Sequence, residues 1–179
     1  FLAGKPEGQG RMTHPDGGSY EGEWTDGRMT GNGTARYPDG TVHTGAFVDG
    51  VPQGPGVLLS PGGLRHEGIW AAGVMEGTGR IAYPDGAVYE GTLVAGQRQG
   101  QGKLTKLDGL VFEGQWDAGQ INGEGRLTQP NGDVYEGGFV NGERSGQGRV
   151  TYANGDSYEG AFLADKRHGQ GTFRGPEGY

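Results

Sequence analysis

The sequence predicts an all-β fold, an elongated single-sheet solenoid of stacked antiparallel β-hairpins. Three observations predict it. First, Tyr20-Glu21-Gly22 returns every 23 residues, as His43-Thr44-Gly45, His66-Glu67-Gly68, Tyr89-Glu90-Gly91, Phe112-Glu113-Gly114, Tyr135-Glu136-Gly137 and Tyr158-Glu159-Gly160. A fixed period of this length marks a repeat array. Second, all 42 glycines except Gly18, Gly62, Gly138 and Gly175 fall in five columns of that repeat. Gly is therefore positional, which argues against the disorder that 31% hydrophobic content would otherwise suggest. Third, the apolar columns alternate with polar ones at the period of a strand.

The elements follow in order when the first residue of the tripeptide is counted as position 1. Positions 1, 3 and 5 form the first strand, with a ring at 1, Gly at 3, and Trp24, Phe47, Trp70, Leu93, Trp116, Phe139 and Phe162 at 5. Positions 6 to 12 read as a Gly-rich loop. Positions 14, 16 and 18 form the second strand, with Gly at 14, an apolar residue at 16, and often Tyr at 18 (Tyr37, Tyr83, Tyr152). Pro38-Asp39-Gly40 and its relatives make the turn to the next hairpin, Pro presetting φ and Gly taking the left-handed conformation. A register with 1 opposite 18, 3 opposite 16 and 5 opposite 14 would set each large side chain over a glycine, cross-strand pairs worth about 0.2–1 kcal/mol each. The domain organisation is one array over 1–179: a partial repeat at 1–19, full repeats at 20–42, 43–65, 66–88, 89–111, 112–134 and 135–157, and a nearly complete one at 158–179. The sequence begins at Phe1 inside a repeat, as expected of an excerpt from a longer protein.

Composition removes several function classes. There is no Cys, hence no disulfide and no thiolate metal site. A net charge of -7 disfavours nucleic acid as a partner. The Gly-x-Gly at positions 12 and 14 is no dinucleotide fingerprint, because no helix follows it. His14, His43 and His66 read as ring substitutes, and His168 as a loop residue. No nucleophile has a paired base. The expectation is a non-enzyme with no catalytic residues, no metal and no cofactor.

Three candidate sites remain. A one-sheet solenoid cannot cover its aromatic face with a second layer, so an accessible groove is expected along Trp24, Tyr37, Trp70, Tyr83, Tyr89, Trp116 and Tyr135, suited to a partner peptide. Near the last copy, Tyr152, Tyr158, Phe162 and Phe173 form a candidate self-association patch. On the opposite face, Glu at position 2 accompanies a basic position 15. Arg80, Lys103, Arg126 and Arg149 are the candidate phosphoinositide headgroup ligands there, weighed against a simple ladder of exposed ion pairs.

The unit Tyr20-Glu21-Gly22-Glu23-Trp24, followed by Gly27, Gly31, Gly33, Tyr37 and Asp39-Gly40, resembles the MORN repeat (membrane occupation and recognition nexus), and the likeness covers essentially the whole chain. Departures are His43-Thr44, Leu93, Gly62 and Asp165. The resemblance implies an elongated, twisted sheet, about 75 Å long at two strands per repeat. It also implies a cytoplasmic, cytoskeleton-associated scaffold like the all-repeat members of the family, self-associating as an antiparallel homodimer and bridging cytoskeletal proteins. A groove-type peptide-binding module and a module that binds membrane phospholipid at the membrane periphery are the alternatives.

Overall fold

The computed structural model describes residues 4–176. It contains β-strands and no helix among them, in one antiparallel sheet whose strand order is the chain order. The chain divides into two compact units, residues 1–84 with 93–96, and residues 85–92 with 97–179. The first unit holds β1 (Gly8–Thr13), β2 (Ser19–Thr25), β3 (Arg28–Arg36), β4 (Val42–Val48), β5 (Val51–Leu59), β6 (Arg65–Ala71) and β7 (Val74–Ala82). β8 (Val88–Val94) contributes to both units. The second unit continues with β9 (Gln97–Thr105), β10 (Val111–Asp117), β11 (Gln120–Thr128), β12 (Val134–Val140), β13 (Glu143–Thr151), β14 (Ser157–Leu163) and β15 (Lys166–Arg174).

The hairpin register differs from the expected one by two residues. In β2–β3, Tyr20 faces Ala35, Gly22 faces Gly33, and Trp24 faces Met29. Position 1 thus lies opposite 16, and 3 opposite 14. The cause is the turn. Thr25 pairs with Arg28, leaving a two-residue loop in which Asp26 and Gly27 both have positive φ, 52° and 80°. This is the primed hairpin turn, whose twist matches that of the strands it joins. Positions 9 to 12, read from the sequence as loop, therefore continue as strand. The surplus residues are absorbed in a bulge at Gly31, where the Glu23 carboxylate accepts the Asn32 N–H and stands in for a missing ladder bond. Gln115 does the same for Glu124 N at 3.0 Å.

The opposite turn behaves as expected. Gly40 N donates to Tyr37 O at 2.9 Å, Tyr37 N donates to Thr41 O at 2.8 Å, and Asp39 Oδ1 accepts Thr41 N at 2.8 Å. That last bond holds the Asp39 carboxyl below the usual carboxylate range.

The core is a zipper of rings. In the first unit Trp24, Tyr20, Phe47, His43 and Trp70 follow one another edge-to-face at 5.5, 5.3, 5.2 and 4.7 Å. In the second, Tyr89, Trp116, Phe112, Phe139, Tyr135, Phe162 and Tyr158 continue the pattern at 5.0–5.4 Å. The position 1 rings Tyr20, His43, Phe112 and Tyr135 each touch the position 5 ring of their own repeat and of the next, whereas His66 and Tyr89, on either side of Leu93, each touch one. Such T-shaped pairs add about 0.5–1.5 kcal/mol beyond the area they bury. The glycines at 14 make room: a Cβ at Gly33, Gly102, Gly125 or Gly148 would collide with the ring of Tyr20, Tyr89, Phe112 or Tyr135.

The hydroxyl explains why Tyr recurs at position 1. Tyr20, Tyr89 and Tyr135 donate to the carbonyls of Glu23, Thr92 and Gly138 at 2.9, 2.7 and 2.8 Å. Those carbonyls sit at the bulge, where the ladder leaves them short of a donor. Likewise Trp70 and Trp116 donate Nε1–H to the carbonyls of Gly56 and Gly102, both at 3.1 Å.

Candidate functional site

The rings expected to line an accessible groove are interior. Trp24, Trp70, Tyr89, Trp116 and Tyr135 are all buried, and Tyr89 is 0% exposed. Of that group only Tyr37 and Tyr83 reach the surface. Tyr158 and Phe162 of the expected terminal patch are buried as well, whereas Phe173 is 54% exposed and leans on half-buried Tyr152 at 6.2 Å. The physical reason is the position 10 column, which the expected loop concealed. Met29, Pro52, Met75, Arg98, Ile121, Arg144 and Arg167 stand on the ring side of the sheet, opposite or over the position 5 rings. The arginines lie over the aromatic faces: Arg98 is 4.5 Å from the Trp116 centroid, Arg144 is 5.3 Å from Phe162, and Arg167 is 5.5 Å from Tyr158. A single layer thus covers its own rings. The signal available in the sequence was Gly at 8 preceded by Asp or Asn (Asp26, Asp49, Asn141), a two-residue turn that commits position 10 to a strand.

What stays open is a cleft between the position 10 side chain and the position 18 side chains, floored by position 16 and the next position 5 ring. In the first unit it measures about 150 Å³, with Met29 on one side, Tyr37 and His14 on the other, and Ala35 and Phe47 beneath. In the second unit a cleft of about 560 Å³ is lined by Arg144, Tyr152, Gln129, Val150 and Phe162, the corresponding residues five repeats on. The site therefore belongs to the repeat, and its chemistry to the residues each copy places there. Burial pushes the Tyr37 phenol up, with Asp39 adding to the effect. It pushes Tyr135, on the zipper beneath Arg144, up to about 12, the Arg144 charge opposing.

The other face carries the expected alternation of charge. Arg80 faces Glu67, and Lys103 faces Glu113. Arg126 lies between Glu113 and Glu136, 3.7 Å from the latter's carboxylate, and Arg149 lies between Glu136 and Glu159. All four candidate headgroup ligands thus face glutamates. The face is not purely charged, however: Val48, Val51, Val74 and Val94 are exposed near the two-residue turns. Among the described residues no group of three or more His, Asp or Glu could hold a metal. His43 and His66 instead flank Trp70, at 4.7 and 6.4 Å.

Hairpins joined by primed turns, zippered by rings over glycines and repeated without a slip, define a class of β-repeat protein. The chain belongs to the MORN repeat family, whose model matches residues 1–19, 20–42, 43–65, 66–88, 89–111, 112–134, 135–157 and 158–178. No curated protein matches the sequence. Among solved structures it is similar to the TCP domain of Drosophila melanogaster SAS-4 (dCPAP) in complex with a proline-rich motif of Ana2 (dSTIL). That match has a TM-score of 0.53 and 17% identity, over 100% of this chain and 94% of that one. It is also similar to the wild-type TCP10 domain of Danio rerio CPAP, with a TM-score of 0.50 and 13% identity, over 96% of this chain and 85% of that one. These likenesses show a shared fold.

Proposed function

We propose that the chain is a non-enzymatic protein-interaction scaffold that holds an extended segment of a partner protein in the repeat clefts of its ring face. One observation carries this reading. The same positions build a cleft in each unit, so a strand-like partner meets side-chain sites that recur with the repeat. Extended segments with proline suit such a surface, because they arrive with little conformational entropy to lose and dock on aromatic walls. The fold relative from Drosophila, solved with a proline-rich motif, is consistent with that choice of ligand.

The test is a peptide array of proline-rich segments probed with the labelled chain and with its Tyr37→Ala and Met29→Ala variants. Binding that weakens roughly tenfold in both variants is expected, with the melting temperature nearly kept in Tyr37→Ala and lowered in Met29→Ala, which also loses packing on the ring core. Binding indifferent to both places the partner elsewhere. Substitution of Trp70 or Trp116 cannot discriminate, because it would unfold the zipper.

Self-association is a second reading, favoured by the exposed Phe173 against Tyr152. Its check is concentration-dependent mass in small-angle scattering. Within either reading we place the partners among cytoskeletal proteins of the cytoplasm. The glutamate facing each of Arg80, Lys103, Arg126 and Arg149 weighs against a phospholipid headgroup site.

A further inference from the structure

We infer that the cleft of the second unit is a carboxylate subsite, which receives an Asp or Glu side chain of the bound segment; this rests on the segment-binding reading above. The two clefts share positions but differ in charge. The first is lined by Met29, with Arg36 balanced by Asp16, whereas the second is lined by Arg144, Lys166 and Arg167 against Asp133 and Asp165.

Two carboxylates lie among these cations, and both are engaged with neighbouring repeats. Asp133 accepts Ala153 N at 2.8 Å and Asn131 Nδ2 at 3.1 Å. Asp165 accepts Arg144 N at 2.8 Å and meets Arg144 Nε at 3.3 Å. Lys166 has no carboxylate partner among the described residues, and the Arg167 guanidinium rests over the Tyr158 ring at 5.5 Å.

A guanidinium held by a ring face keeps its edge for a carboxylate, which it can take with two parallel hydrogen bonds. Apolar Val150 and Phe162 beneath lower the local dielectric and strengthen that attraction. The chain carries a net charge of -7, so this cationic cluster is a local feature that would fix where along the ring face an acidic residue sits.

A displayed library of random short peptides selected on the chain tests the inference. Recovered peptides are synthesised, and so are versions with each Asp and Glu changed to the amide. Affinities are read by fluorescence polarisation against the wild type and the Lys166→Gln/Arg167→Gln double variant. Neither side chain hydrogen-bonds to another of the described residues, so the melting temperature should fall only slightly, through the lost Arg167–Tyr158 contact. The inference predicts acid-containing peptides that lose roughly tenfold in affinity on the double variant and lose affinity as salt rises. Their amide versions should no longer distinguish the two proteins. Peptides that lack acids, or acidic ones that bind both proteins equally, overturn the carboxylate subsite and leave segment binding standing. A library that yields no binder overturns both. If the double variant melts early, comparing acid and amide peptides on the wild type alone decides the question.

Discussion

The unit of stability is a ring seated over a glycine. At Gly102 an added methyl would enter the Tyr89 ring, and the Gly102 Cα already fills the place a Cβ on Gly91 would take. Gly102→Ala should therefore cost about 1–3 kcal/mol through overpacking. Gly62→Ala, where an added Cβ meets nothing, should stay within about 0.5 kcal/mol in the same urea titrations. His43 is the exception in the ring column: it is 0% exposed and neither ring nitrogen has a partner among the described residues. Burial holds His43 and His66 below the usual imidazole range. On acidification the unfolded chain binds protons first. Stability is thus full above about pH 6.5 and falls as the pH drops below it, levelling off once the folded imidazoles also protonate. His43→Tyr should supply the hydroxyl that other repeats use, raise stability by about 1 kcal/mol at pH 8, and raise it further at pH 5. Melting curves at the two pH values would show both effects.

At the scale of the hairpin, turn chemistry decides the register. Both turn residues need positive φ, and Ala72, Ala95 and Ala118 adopt it without the polar side chain that makes it easier. Ala72→Asn should stabilise by about 0.5–1 kcal/mol, since Asn141 occupies the equivalent turn with φ 48°. A lower melting temperature would show that the Ala72 side chain has a role the turn geometry does not account for. The strand existence, the repeat frame and the Pro-Asp-Gly turns were legible in the sequence, because each depends on a local pattern. The register was not. Gly at 8 and Gly at 12 look alike in a sequence, yet Gly27 closes a two-residue turn while Gly31 forms a bulge four residues later. Reading both as one loop moved the partners of positions 1 and 3 by two and, past the bulge, that of position 5 by four.

At the scale of the whole molecule, that shift decided how the functional face was read. The aromatic columns were visible, and so was their sidedness. What the sequence could not display is that position 10 would return over them, turning most of an expected groove into core. The cleft that remains is smaller and belongs to the residues at 10, 16 and 18, of which only Tyr37 and Tyr83 stood among the expected groove residues. The charged face was easier to read, since Glu21 and Arg11, like Glu159 and Arg149, pair directly across strands. The second cleft's excess of cations over the first follows in part from Met29 and Arg144 holding one position five repeats apart. The most direct measurement is an amide and methyl NMR map of the chain titrated with a proline-rich peptide taken from the array. Shifts concentrated at Met29, Ala35, Tyr37, Arg144, Val150 and Tyr152 are the predicted result. Shifts concentrated at Glu113, Arg126, Glu136 and Arg149, with the cleft residues silent, would contradict the account.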